Sequence, residues 1–304
     1  MKVFMTGASG HVGSLVAAQL LENGHEISGL ARSEKSAERL KNAGITPVMG
    51  DLTDLDVLTA AAKDSDGVIH LAFHHEVAFS GAADGMLKAA ATDLAAIEAI
   101  ADGLENSGKP FVGVNGLLQF ASQNLGRELL ESDRIPAGPR SDSENFIIDL
   151  ANRGIRSSVI RLAPTTHGAF DNTSGFVPTL IAQARNHGVS SYIESGENQW
   201  SAVHELDAAD LFVRALENAP AGTVLHAAAE SGIPFKNIAE KIGQNLNLPV
   251  QSVKSDEAGK YFGHLAYFAA VNVPVSNEFT KEITGWKPSH FTLLEDLEQG
   301  KYFE

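Results

Sequence analysis

The sequence predicts an α/β protein, a doubly wound parallel sheet followed by a small C-terminal lobe. Three observations predict it. Short apolar, often β-branched segments alternate with alanine- and leucine-rich segments of helical length through the first half of the chain, the pattern of βαβ units covered on both faces. The helical segments close on Asn23-Gly24, on Asn42-Ala43-Gly44 and on Arg153-Gly154, because glycine accepts the left-handed conformation that ends a helix. After Leu162 the alternation loosens into turns, so a different and smaller unit follows.

In chain order, strands are expected at residues 2–6, 25–30, 45–49, 67–72, 110–114 and 156–162, which are short, apolar and often β-branched. Helices are expected between them at 12–23, 34–42, 55–62, 83–106 and 143–153. The stretch 163–175 (APTTHGAFDNTSG) reads as turns, 177–186 and 202–218 as helices, and 223–227 as one more apolar strand. The last third mixes short helices with breaks at Leu248-Pro249, Val273-Pro274 and Trp286-Lys287-Pro288. There is no repeat of fixed period and no low-complexity linker.

Composition narrows the function. A chain of 304 residues with 43% hydrophobic residues can bury a sizeable core in one large domain or two moderate ones. A net charge of −15 argues against nucleic acid and against an anionic membrane, which both need a basic face. The absence of cysteine excludes disulfides, thiolate catalysis and thiolate metal sites. MKVFMTG enters a strand at once, which leaves no room for a signal peptide, and no apolar run reaches the roughly eighteen residues of a membrane span. The expected setting is cytoplasmic, with a small-molecule substrate as partner and a homodimer as one possibility.

Between the first strand and the first helix stands TGASGHVG, with Gly7, Gly10 and Gly13 at three-residue spacing. Gly7 permits the tight turn, Gly10 the approach of backbone to a pyrophosphate, and Gly13 the close packing of helix on strand. The free N–H groups at the helix start face the phosphates, with Ser9, His11 and Val12 in the same cradle. An ordinary glycine-rich turn is the bland alternative; the flanking strand, helix and next strand favour a dinucleotide and hence a Rossmann arrangement.

An NAD site usually places Asp or Glu at the end of the second strand, to accept from the ribose 2′-OH. Here the strand ends in Gly29-Leu30-Ala31-Arg32-Ser33, and the guanidinium and hydroxyl suit a 2′-phosphate. NADP(H) is therefore preferred over NAD(H). Arg32 as a solvent-facing charge and Ser33 as a helix cap stand beside that reading. After the third strand, Asp51 is placed to accept from an adenine amino group with Leu52 against the ring, and an N-cap role for Asp51 or Thr53 is equally economical.

With these motifs in place, the chain resembles the short-chain dehydrogenase/reductase superfamily in its extended branch, the NAD-dependent epimerase/dehydratase-like group. The resemblance runs over nearly the whole length. It covers TGASGHVG, the GDLTD turn, His70-Leu71-Ala72, RLAPTTHG at 161–168, VHELDAAD at 203–210 and GWKP at 285–288. It implies a cofactor domain of residues 1–162 plus about 203–228, and a substrate-side lobe of 163–202 and 229–304. It also brings Leu71, Ala72, Phe73, Pro164 and Thr165 to the cofactor. The implied reactions are hydride transfers, epimerisations and dehydrations on alcohols and carbonyls.

One part of the family pattern is missing. Its Tyr-x-x-x-Lys pair has no counterpart: the four tyrosines are Tyr192, Tyr261, Tyr267 and Tyr302, and none has Lys four residues on. Aligning Glu144 with a glutamate common in the helix at 143–153 puts Arg140 in the Lys slot and Pro136 in the Tyr slot, and Asn115 stands where the family has Ser or Thr. Arg140 can still face the cofactor ribose, but a permanent cation relays no proton.

Histidine is the natural replacement near neutral pH. His74 and His75 follow the fourth strand, His167 lies where the resemblance puts nicotinamide and substrate, and His204 where it puts a histidine below the substrate pocket. Each alone is equally a structural hydrogen-bonding residue, and their spacing makes no metal site. Asn115 is a candidate carbonyl holder by its amide, or a turn residue before Gly116. Tyr192 is a further polar candidate, and Asp207 and Asp210 read as opening and solvating their helix. The aromatic run 261–268 reads as the core of the small lobe, as a dimer face, or in part as a wall over an organic substrate. Two functions follow. One is an NADP(H)-dependent oxidoreductase for a small or medium carbonyl, imine or activated alkene, with a non-standard proton donor. The other is a non-catalytic NADP-binding redox sensor akin to NmrA-like proteins.

Overall fold

The structure is a computed structural model that describes residues 1–123, 125–169, 175–299 and 301–303. Its first half winds through β1 (Lys2–Thr6), α1 (His11–Glu22), β2 (Glu26–Ala31), α2 (Glu34–Asn42), β3 (Thr46–Met49), α3 (Leu55–Lys63) and β4 (Gly67–His70). Next come α4 (His75–Ala78), α5 (Gly85–Leu104), β5 (Pro110–Gly116), α6 (Pro139–Asp149) and β6 (Arg156–Leu162). The remainder contributes β7 (Thr165–His167), α7 (Phe176–His187), β8 (Ser190–Ile193), β9 (Gln199–His204), α8 (Glu205–Asn218), β10 (Thr223–Ala227), β11 (Glu230–Pro234), α9 (Phe235–Leu246) and β12 (Val250–Val253).

Seven parallel strands pair in the order β10-β6-β5-β4-β1-β2-β3, the doubly wound α/β sheet that the alternation predicts. Side chains alternate across each strand, and both sheet faces are buried. Val3, Met5, Ile69, Val112 and Ile160 belong to a core on the α1/α8 side, whereas Phe4, Val68, Phe111 and Val159 belong to a core with α3, α5 and α6. Both sets are fully buried, so strand segments with no polar alternation are what this position demands. Each such side chain contributes roughly 1.5–3 kcal/mol by leaving water.

The chain runs from β1 to β2 on one side and returns to β4 on the other. That reversal opens a crevice beyond the carboxyl ends of β1 and β4. Two smaller sheets, β11-β9-β7 and β12-β8, build the second lobe beside this crevice. Among the described residues no helix is long and apolar enough to cross a membrane.

Three local expectations change. The helix expected from Ser143 begins at Pro139, because proline at the first helical turn loses no hydrogen bond and Asp142 accepts from Gly138 N at 3.1 Å. Arg140 therefore sits inside the first turn. Residues 202–204 are strand, since the helix starts only after His204 caps it by accepting from Leu206 N at 3.2 Å. The helix expected at 83–106 forms over Gly85–Leu104, and the short α4 before it is unexpected. The turns read at 163–175 fall partly outside the described residues, at 170–174.

Candidate functional site

A cleft of about 950 Å³ runs along the carboxyl ends of the strands, lined by the loops after β1, β2, β3, β4, β5 and β6. Its centre is the glycine loop. Gly7 has φ 74°, and a Cβ there would lie 2.8 Å from Ala72 N. A Cβ on Gly13 would lie 2.1 Å from Gly7 O, so only glycine lets α1 start this close to β1. Gly10 is the N-cap of α1, with no side-chain cap and no acidic residue in the first turn. The backbone donors of that turn are therefore left for an anion. Ser9, His11 and Val12 line the same stretch, and His11 Nε2 lies 2.6 Å from Glu205 Oε2.

The end of the cleft beyond β2 and β3 carries Arg32, Ser36, Arg39, Asp51 and Leu52. Arg32 reaches across to Glu76 of α4 and pairs with it. This hydrogen bond and charge raise the guanidinium pKa and hold the Glu76 carboxyl below its usual range. Asp51 makes a second crossing, 3.3 Å from His74 Nε2. Ser33 is a correction to the expected clamp. Its Oγ accepts from Ser36 N at 3.2 Å in a reciprocal cap of α2, so the side chain is spent and does not line the cleft. One turn later, Ser36 and Arg39 do line it. The sequence reading missed both, although positions three and six beyond Ser33 on an exposed amphipathic helix were a usable signal.

The other end lies beyond β4, β5 and β6. Leu71, Ala72 and Phe73 form its floor, and Phe73 covers the Arg140 guanidinium with 4.3 Å between charge and ring centre. Arg140 donates to Asp93 Oδ2 at 2.7 Å and to Val114 O at 2.9 Å. Burial alone would push the Asp93 carboxyl up; hydrogen bonding from His70, with the charge of Arg140, outweighs it and holds the group below its usual value. His70 is fixed in turn. Thr6 Oγ1 accepts from Leu71 N at 3.2 Å and Ala72 N at 3.1 Å, so its proton goes to His70 Nδ1 at 2.9 Å, and His70 Nε2 donates to Asp93 at 3.1 Å. A buried polar chain thus links the strand that feeds the glycine loop to Arg140.

Asn115 lines the cleft, but its amide is not free to hold a carbonyl. Nδ2 donates to Glu144 Oε2 at 2.8 Å and to Arg140 O at 3.1 Å, and Oδ1 accepts from Gly116 N at 2.8 Å. Gln119, which the sequence reading did not single out, keeps more in hand. Its Nε2 donates once, to Glu144 at 2.8 Å, and its Oε1 accepts from Ser141 at 3.2 Å, which leaves one amide proton. Glu144 is the buried hub of this corner, neutralised by Arg161 at 2.6 Å.

The histidines do not converge. His74 and His75 line the cleft, and the His75 ring makes no hydrogen bond among the described residues. Protein atoms around the His75 ring, then the Arg140 cation, lower its pKa, with Asp93 pulling the other way. His167 and His204 lie side by side on the β7–β9 pair, and neither lines the cleft. His167 is fully buried, with Nδ1 2.9 Å from Asp296; His204 stacks on His290 at 4.7 Å. Pro164 lines the cleft, whereas Thr165 is buried beneath it with its hydroxyl turned inward. Tyr192 lies against Lys236 in the second lobe, and none of the four tyrosines lines the cleft. Of the aromatic run, Phe268 alone does.

Residues 7–117 match a family model described as NAD(P)H-binding. An uncharacterized protein of Schizosaccharomyces pombe is 45% identical over 304 residues, 100% of both chains. A ketoreductase of Stigmatella aurantiaca, named for 4-hydroxy-2-methyl-3-oxo-4-farnesyl-3,4-dihydroquinoline-1-oxide, is 23% identical over 84% of this chain and 75% of its own. The solved UDP-glucose 4-epimerase of Thermotoga maritima with UDP-glucose shares the fold at a TM-score of 0.77 and 18% identity, covering 100% of this chain and 98% of that one.

Proposed function

Since the chain belongs to the short-chain dehydrogenase/reductase superfamily, in its extended epimerase/dehydratase-like branch, we propose that it is an NADP(H)-dependent oxidoreductase that reduces a small or medium carbonyl, with His75 as proton donor. The observation that carries this reading is one continuous cleft, with unspent helix-start donors at its centre, cations at one end and an unpaired imidazole at the other. The residues fit the cofactor, because each glycine of the loop stands where a side chain would collide or where a backbone donor must be bared. Bound there, a nicotinamide cofactor would supply the hydride that reduction of a carbonyl needs.

The chain does the rest. The first turn of α1, which begins after Gly10, holds the pyrophosphate, and Arg140, braced by Asp93, holds the nicotinamide ribose. Arg32, Ser36 and Arg39 meet the 2′-phosphate, which supports NADP(H) over NAD(H); no carboxylate stands at the end of β2 to serve NAD instead. His75, as imidazolium, gives its proton to the oxygen as the carbonyl π pair moves onto it, leaving an alcohol and neutral imidazole. Imines and activated alkenes accept hydride and proton by the same route. The ketoreductase activity printed for the Stigmatella aurantiaca relative supports a carbonyl as substrate.

Calorimetric titration with NADPH, NADP⁺, NADH and NAD⁺ tests the cofactor, and tighter binding of the phosphorylated pair is expected. His75→Asn then tests the chemistry: turnover should fall by roughly a hundredfold while NADPH affinity stays. The spent amide of Asn115 favours a second reading, a redox sensor without turnover. That reading requires no turnover in the unsubstituted protein and unequal affinity for the oxidised and reduced cofactors.

A further inference from the structure

We infer that the substrate is an uncharged aromatic carbonyl compound, one without phosphate or carboxylate. This rests on the reading of the cleft as a cofactor and substrate site, and concerns only its end beyond β5 and β6. Among the described residues the cleft is lined by three permanent cations. Arg32 and Arg39 lie at the far end, past the glycine loop, on the β2 and α2 side. Arg140 is already neutralised by Asp93 at 2.7 Å, donates to Val114 O at 2.9 Å beneath the Phe73 ring, and has its remaining donors assigned to the nicotinamide ribose. An anionic group at the substrate end would lose its water and find Arg140 already neutralised by Asp93, with only the titrating His75 ring beside it. The chain's charge of −15 adds to that repulsion.

What the end offers instead is ring surface. From the second lobe come Phe176 and Phe268, stacked with centroids 5.2 Å apart. From α4 and its end come His75 and Phe79, one helical turn apart and parallel to within 6°, with Phe79 65% exposed. Aromatic side chains that line a cleft mouth together with Met86 and Leu118 match a flat apolar ligand. Among the described residues at this end, the His75 ring and the second amide proton of Gln119 have no hydrogen-bond partner. One carbonyl oxygen uses both. In the reaction the carbonyl carbon takes hydride from NADPH and the oxygen takes a proton from His75, so ketone, NADPH and H⁺ give alcohol and NADP⁺.

The test compares acetophenone with para-acetylbenzoate, which differ by one carboxylate, and with UDP-glucose, each titrated into the protein saturated with NADPH. Binding is read by quenching of the bound nicotinamide fluorescence, which needs no turnover. Acetophenone is expected to bind at least about tenfold more tightly than its carboxylate analogue. Phe176→Ala and Phe268→Ala should each weaken acetophenone about fivefold or more and leave NADPH affinity unchanged. Equal or tighter binding of para-acetylbenzoate or UDP-glucose overturns the inference, and so does failure of all three to bind. NADPH affinity, measured separately, tells this failure from failure of the cofactor reading.

Discussion

His75 stands exposed at the cleft mouth beside a fixed cation, and its titration sets how a reduction would depend on pH. Its pKa lies below 6.5, so the imidazolium that donates the proton is scarce at neutral pH. The kcat/KM for carbonyl reduction should therefore fall about tenfold per unit as pH rises above that lowered value. A profile flat from acid to neutral pH would assign the proton to water. His226 acts on stability rather than chemistry. It is buried, and desolvation, then Arg161, push its pKa down to about 3. Below its ordinary value of 6.5 the unfolded chain takes up a proton there that the folded chain refuses until about 3. Acid should thus favour unfolding across that window by up to roughly 1.4 kcal/mol per pH unit, and His226→Gln should show a shallower acid slope in its thermal midpoints.

At the scale of elements, α4 is a single turn of helix that touches both ends of the cleft. Glu76 holds Arg32 at the β2 side, while His75 and Phe79 face the substrate side. A 2′-phosphate on Arg32 must push Glu76 away, whereas Arg39 makes no ion pair among the described residues. Glu76→Gln should then tighten NADPH severalfold with little effect on NADH, and Arg39→Ala should weaken NADPH about tenfold with NADH unchanged. Parallel changes in both cofactors would sink this assignment. The sequence showed the sheet and glycine loop plainly, because apolar runs and glycine spacing are local signals. It hid α4, since residues 73–84 have no helical periodicity. It also hid the partners that decide each side chain's work: Asn115 with Glu144 is 29 residues apart, and His167 with Asp296 is 129. Reading Asn115 or His167 as functional needed their hydrogen bonds, which no spacing reveals.

Across the whole molecule, the C-terminal segment is anchored at points on both lobes. Asp207 of α8 accepts from Ser289 N at 3.1 Å, His290 N at 3.1 Å and the His290 ring at 2.8 Å, while Trp286 donates to Asp207 O at 2.9 Å. Far from solvating its helix, the Asp207 carboxylate is buried and organises this turn. Beyond it, Glu230 accepts from Leu293 N at 2.7 Å and His167 meets Asp296. Asp207→Ala leaves these backbone donors without their acceptor and should cost roughly 2–4 kcal/mol, read in urea unfolding; a midpoint equal to that of the unsubstituted protein would refute the anchor. The sheet order carries a consequence for synthesis on the ribosome. β6 pairs on its outer side only with β10, which also brings His226 to Arg161 at 3.1 Å. At roughly 5–20 residues per second, β6 emerges several seconds before its neighbour exists. During that interval the nascent chain presents an open strand edge and an Arg161 without its His226 partner, so chains halted before residue 223 should depend on chaperones where completed ones do not.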